Sequence, residues 1–312
     1  MAHWLVTGGA GFIGSHLALA LLDRGESVRV ADDLSTGNAA NLAALGGRAE
    51  VLTGDLADIE FARTATRGMD VVLHQAAIPS VPKSVADPLT SHRANVDAPL
   101  AVLIGAREAG VRRLVYAASS SAYGDAAELP KREDMATNPL SPYALQKLVG
   151  EQYLQMFTRL YGLDTVSIRY FNVFGPRQDP SSPYSGVIAL FITRLLAGQP
   201  PLIVGDGEQT RDFTYIDNVV DGVLRAAAAP DVAGRVINVA TGQQISINQL
   251  AQAIQHVLGS NLAPQHVEAR AGDVRDSLAD IGLARQVLGY TPLVSFEEGL
   301  RRTIDWYRTS LT

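Results

Sequence analysis

Thr7-Gly8-Gly9-Ala10-Gly11-Phe12-Ile13-Gly14 follows the strand-like run His3-Trp4-Leu5-Val6-Thr7 and opens a stretch of helical spacing at 12–24. It satisfies both the G-x-x-G-x-x-G and the G-x-G-x-x-G pattern. Glycine is needed in such a strand-to-helix turn because a side chain would block the turn, the approach of a pyrophosphate to the backbone, or the packing of helix on strand. The helix N-terminus then offers free N–H groups and partial positive charge to phosphates. A glycine string alone also fits a plain tight turn, so its context decides. Eighteen residues beyond Gly14, Ala31-Asp32-Asp33 ends a second strand-like run. A carboxylate there accepts from adenosine ribose hydroxyls and repels a 2′-phosphate, which favours NAD over NADP. Gly54-Asp55-Leu56, after a third strand, reads either as a contact to the adenine edge or as an ordinary turn acid.

Outward from this turn, short β-branched runs at 3–7, 27–31, 49–53, 70–74, 112–117 and 165–170 alternate with helical patterns at 12–24, 58–68, 89–110 and 142–161. That rhythm denotes βαβ units, hence an α/β fold: a doubly wound parallel Rossmann sheet covered by helices on both faces. Pro180, Pro183, Pro200 and Pro201, with Gly198, Gly205 and Gly207, break up 176–212, where loops and short elements are expected. The stretch 214–240 returns to the sheet, and helical patterns follow at 246–258, 281–288 and 296–309. The expected division is a dinucleotide-binding domain of 1–175 plus about 213–242, and a smaller mixed α/β substrate-binding lobe of 176–212 plus 243–312.

The composition narrows the partners. With 26 Lys plus Arg against 32 Asp plus Glu, the net charge of −6 gives no global attraction to nucleic acid or anionic membrane, so an anionic ligand must be held by a few placed cations. No cysteine is present, which removes disulfides and thiolate chemistry and fits a reducing, cytoplasmic setting. The six histidines form no pair at i,i+4 ligand spacing, so no metal site is expected. Neither an export signal nor a membrane span is read: the longest greasy stretch, Gly186 to Gly198, is interrupted by Arg194 and too short to span a bilayer.

Ser141-Pro142-Tyr143-Ala144-Leu145-Gln146-Lys147 opens a long helix and sets a phenol and an ammonium on one face, four residues apart. Tyr-x-x-x-Lys is common by chance. After a dinucleotide half-fold, and with Ser119-Ser120-Ser121 following the fifth strand, it gains meaning. A tyrosine of ordinary pKa ~10 active near neutrality needs a shift of about three units, roughly 4 kcal/mol.

With TGGAGFIG at 7–14, AASSSAYG at 117–124, YALQK at 143–147, RYFNVFGPRQDP at 169–180, GDGEQTRDFTYIDN at 205–218 and RAGDVRDS at 270–277, the chain resembles the extended short-chain dehydrogenase/reductase family over essentially its full length, and within it the UDP-hexose 4-epimerases. The resemblance implies Tyr143 as acid/base, Lys147 as the cation that lowers the Tyr143 pKa and holds the nicotinamide ribose, and Ser119 as hydrogen-bond partner of the reacting oxygen. It assigns Gly8, Gly11, Phe12, Ile13, Gly14, Asp32, Asp33, Asp55, Leu56, Ala76, Ala77, Asn95 and Tyr170, with Tyr143 and Lys147, to NAD. It gives Asn172, Arg211 and Arg270 to a UDP diphosphate and Asp273 to the uridine ribose, and it puts Ser80, Ser120, Ser121, Gln178, Gly186 and Val187 around the substrate. Arg275 is open between a ligand contact and a surface ion pair. A homodimer built on helices 89–110 and 142–161 is implied too.

The resemblance also sorts the chemistry. Related 4,6-dehydratases carry Asp-Glu where Ser120-Ser121 stand, and UDP-glucuronate decarboxylases a glutamate at Ser121. UDP-glucuronate 4-epimerases tend to have arginine where Asp179 sits, so a neutral hexose is expected. Galactose-restricted relatives place tyrosine at Ser277, and a serine leaves room for an acetamido group. Pro79 departs from the small residue of the N-acetylhexosamine branch, so tolerance of UDP-glucose and UDP-N-acetylglucosamine alike is expected. The alternatives are a UDP-glucuronate epimerase or decarboxylase and, from another class, a noncatalytic NAD-binding sensor.

Overall fold

β1 (His3–Thr7), β2 (Ser27–Asp32), β4 (Val71–His74), β5 (Arg113–Ser119) and β6 (Asp164–Tyr170) are mostly buried along their length, as strands covered on both faces must be. With β3 (Glu50–Thr53) at one edge and the strand Arg235–Val239 at the other, they form one parallel sheet in the order β3-β2-β1-β4-β5-β6 and then Arg235–Val239. The computed structural model describes residues 2–179, 186–268 and 275–310. Alternation along β1 feeds two apolar layers. Val6 packs with helices Phe12–Asp23 and Ile216–Ala228, whereas Leu5 packs with Ile59–Thr66, Ala98–Glu108 and Pro142–Tyr161.

The chain reverses strand order at β1, which lies between β2 and β4. The carboxyl ends of neighbouring strands diverge there and leave a crevice. Thr7 closes its floor: its hydroxyl bonds His74 Nδ1 at 2.9 Å and accepts from the N–H groups of Gln75 and Ala76 at 3.1 and 3.2 Å.

Two expectations need revision. The helix read over 89–110 is interrupted: Pro88–His92 gives way to a wide turn at Arg93–Asp97 before Ala98–Glu108 resumes. Pro99 has no N–H to return to residue 95, and the Ala98 N–H reaches back to the Arg93 carbonyl instead. Within 176–212 a regular helix, Val187–Leu196, forms on an apolar stripe. The short helices Ala39–Ala43 and Val81–Ala86 fall between the patterns read from the sequence. The late helices form at Ile247–Leu258, Gly282–Leu288 and Phe296–Ser310. They share the Val6 core with the sheet, through residues such as Ile254, Leu288 and Ile304. Among the described residues no helix is long and apolar enough to cross a membrane.

Candidate active site

A cavity of about 1740 Å³ opens over the carboxyl ends of the strands. Its first wall is backbone. Gly8 has φ 67°, and a Cβ there would lie 2.7 Å from the Ala76 nitrogen; one on Gly14 would meet the Gly8 carbonyl oxygen at 2.2 Å. Helix Phe12–Asp23 starts after Gly11 without a side-chain cap, so its first N–H groups face the cavity that Gly11, Phe12, Ile13 and Gly14 line. This cradle, which added side chains would fill, fits a dinucleotide.

Asp32, at the end of β2, accepts from the Ala10 N–H at 2.9 Å and the Leu34 N–H at 2.8 Å, and burial pushes its carboxyl above the ordinary range. It therefore fixes the glycine turn as well as lining the cavity. Asp33 is exposed and holds Ser35. Asp55 caps Ala57 and takes Arg93 Nε at 2.9 Å, so the turn-acid role is occupied, although Asp55 and Leu56 both border the cavity. Ala76 and Ala77 line it after β4. Asn95 does not. Fully buried in the wide turn, it accepts from Ile78 N at 2.9 Å and donates to Ile78 O, Ser91 and Gln146, supporting the loop from behind. The Tyr170 hydroxyl, also on the wall, donates to Gln75 Oε1 at 2.9 Å.

Helix Pro142–Tyr161 begins with Pro142 at its first position and the Ser141 hydroxyl accepting from Ala144 N at 3.2 Å. A second anchor was not legible in the sequence. Ser84, fully buried in helix Val81–Ala86, accepts from the Tyr143 N–H at 3.1 Å. Burial raises the Tyr143 phenol above its ordinary pKa, and a hydrogen bond with Ser119 draws it back. Ser119 in turn accepts from the Ser121 N–H and hydroxyl at 3.2 and 2.8 Å. Lys147 is 3% exposed, and Nζ donates to the Ala117 carbonyl at 2.8 Å, leaving two N–H donors. Burial pushes its pKa down to about 7, with Glu151 acting in the opposite direction.

The second wall is made of side chains from distant segments. Ser80, Ser120, Ser121, Asn172, Gln178, Gly186, Val187, Arg211 and Ser277 all border the cavity. Ser80 also caps helix Val81–Ala86. Gln178 faces Gly186, where a Cβ would stand 3.0 Å from its Nε2, and the Gln178 Oε1 is buried with no partner among the described residues. Arg211 Nη1 is braced by the carbonyls of Thr210 and Arg275 at 2.7 and 3.1 Å. Arg270 and Asp273 lie outside the described residues. Arg275 is exposed and forms both halves of its fork with Asp206 at 3.1 and 3.0 Å, the surface ion pair rather than a ligand contact.

Two further residues around the site carry no sequence assignment. Arg177 lines the cavity at φ 66° with Nη1 buried and without a partner among the described residues; its signal is the Gly-Pro-Arg turn beside Gln178. Asp212, fully buried, accepts from Thr241, Gly242 and, at 3.3 Å, Ala279, tying the segment after Ser277 to a loop beyond the sheet. Asp32, Asp33 and Asp55 border the cavity with the glycine cradle, and Arg177, Arg194 and Arg211, with Asp179 and Asp276 among them, line it as well.

The NAD dependent epimerase/dehydratase family model matches residues 4–240. The UDP-glucose 4-epimerase of Mycolicibacterium smegmatis is 42% identical over 308 residues, 97% of this chain and 98% of its own. The UDP-glucose 4-epimerase of Thermotoga maritima, solved with UDP-glucose, superposes with TM-score 0.95 at 37% identity, covering 99% of this chain and 100% of its own. The UDP-N-acetylglucosamine 4-epimerase of Methanobrevibacter ruminantium M1, solved with UDP-N-acetylmuramic acid, gives TM-score 0.95 at 40% identity, covering 99% of each chain.

Proposed function

The chain belongs to the NAD dependent epimerase/dehydratase family, and from that premise we propose that it interconverts the 4-epimers of a neutral UDP-hexose. One observation carries the reading: Tyr143 and Ser119 stand where the glycine-built wall meets the arginine-bearing wall of one cavity. NAD, when bound, supplies a hydride acceptor that returns the hydride to the same carbon, so no outside reductant is consumed. Tyr143 removes the proton of the sugar 4-hydroxyl and later restores it, Ser119 fixes the oxygen, and Lys147 offers its two remaining donors to the cofactor ribose. Asn172 and Arg211 hold the diphosphate, the arginine by charge-assisted contacts. Gripping the nucleotide while leaving the sugar free to present its other face gives inversion.

Asp179 on the cavity wall opposes a uronate by like charge, which favours a neutral hexose. The hydroxyls of Ser120 and Ser121 lack the acid and base that dehydration requires. Ser277 leaves room for an acetamido group, so both UDP-glucose and UDP-N-acetylglucosamine are taken as substrates; the relatives named for each support that breadth. Exposed Leu89, Leu145 and Leu160 on the helices flanking the site support a homodimer. The test is incubation with either sugar nucleotide and NAD, without reductant, followed by proton NMR. The 4-epimers are expected from both. No 4-epimer from either, with folded protein, overturns the proposal.

A further inference from the structure

Behind the proposed acid/base pair the same helix carries a third ionisable side chain. Glu151, one turn beyond Lys147, is 2% exposed. Both its oxygens accept from Arg169 of β6: Oε1 from Nε at 2.9 Å and Oε2 from Nη2 at 2.7 Å. Arg169 lies over the Tyr123 ring, 4.5 Å from its centroid, and Lys147 Nζ over the Tyr116 ring at 4.8 Å. One carboxylate, locked by Arg169, thus lies one helical turn from a second buried cation. A buried ion pair is a costly way to join a helix to a strand, since apolar residues of similar volume do it as well or better. Its place one turn from Lys147 gives it another use: an ammonium at this depth sheds its proton unless a fixed negative charge lies nearby.

We propose that Glu151 is a positioning residue for the reaction, its carboxylate locked by Arg169 so that Lys147 holds its proton to higher pH than its burial alone would allow. The inference rests on the reading of Tyr143 and Lys147 as the reacting pair. The other groups around Lys147 do not supply this charge. Tyr143, Tyr116 and Tyr170 have phenols raised by burial, and burial holds His74 neutral, down to about 3. Tyr123 and Glu133 act on Arg169, the latter with Oε1 accepting from Asn238 N. On the helices and turns packed against Pro142–Tyr161, Lys83, His92, Arg93, Asp97, Arg107 and Glu108 are exposed. Arg93 pairs with Asp55, and Asp97 lies beside His92.

The sequence makes a direct test practical, because its only lysines are Lys83, Lys131 and Lys147. Protein labelled with 13C-lysine gives three Cε signals, assigned with Lys83→Arg and Lys131→Arg, and each is titrated with and without NAD. In Glu151→Gln the Lys147 transition is expected to move down by about one pH unit, a tenfold change in its charged-to-neutral ratio. Because that variant leaves Arg169 buried and unpaired, Glu151→Gln/Arg169→Gln is measured beside it and should show the same direction. In turnover, the alkaline limb of kcat should move down with the NMR transition, KM should stay within about twofold, and activity should return at lower pH. A Lys147 transition unchanged in either folded variant overturns the proposal and leaves Glu151 as the partner of Arg169 alone. Full turnover by Tyr143→Phe would instead defeat the reading of the reacting pair while leaving the lysine titration standing.

Discussion

The two walls of the cavity are built on different principles. The wall under the glycine turn is backbone from consecutive strand ends, stitched by Thr7 and Asp32, and tolerates no added atom at Gly8 or Gly14. The opposite wall is side chains from segments that meet only in the fold: Asn172 and Gln178, Arg211 on a two-residue strand, and Ser277 behind the Asp212 clamp. A backbone wall fixes what binds to it. A side-chain wall can be retuned one position at a time, and the neighbours named for different sugars are consistent with that division.

The sharpest test lies at the seam. Tyr143→Phe should lower kcat by roughly 10³-fold while the protein still binds NAD, read by turnover and by cofactor fluorescence on titration. Loss of cofactor binding in that variant would mean that the seam belongs to the first wall. Gly14→Ala should come next, because its Cβ would stand 2.2 Å from the Gly8 oxygen. It should cost about 1–3 kcal/mol of stability and most NAD affinity, measured by denaturant melts with and without cofactor. A wild-type melt would show that the cradle yields. On the other wall, Ser277→Tyr should lower kcat/KM for the N-acetylated sugar about tenfold relative to the plain hexose, with NAD binding unchanged. Equal losses for both sugars would remove Ser277 as a selector. The smallest effect is expected from Arg275→Ala: its exposed pair with Asp206 should leave turnover and melting unchanged.

The same division governs what was legible in the sequence. The parallel sheet and the glycine turn could be read because their requirements are local: buried strands carry short β-branched apolar runs, and a cradle needs glycine at fixed offsets. Tyr143, Lys147 and Ser119, singled out by spacing and resemblance, line one cavity. Ser84, Arg177 and Asp212 were not singled out, since a buried serine, an arginine in a proline turn and a loop aspartate carry no periodic signal until the chain has folded around them. The resemblance assigns Asn95 to the cofactor, whereas its side chain holds Ile78 in a wide turn that the helical pattern over 89–110 conceals.

The hydrogen bond from the Tyr143 N–H to Ser84 joins parts of the molecule that otherwise have separate tasks. Ser80 and Ser84 sit at either end of one helical turn, the first bordering the cavity beside the Ala76–Ala77 loop and the second carrying the start of the Tyr143 helix. On the proposed reading, helix Val81–Ala86 therefore links the loop beside the cofactor to the phenol. On the same reading, a shift of that helix would reach the start of the Tyr143 helix together with the loop.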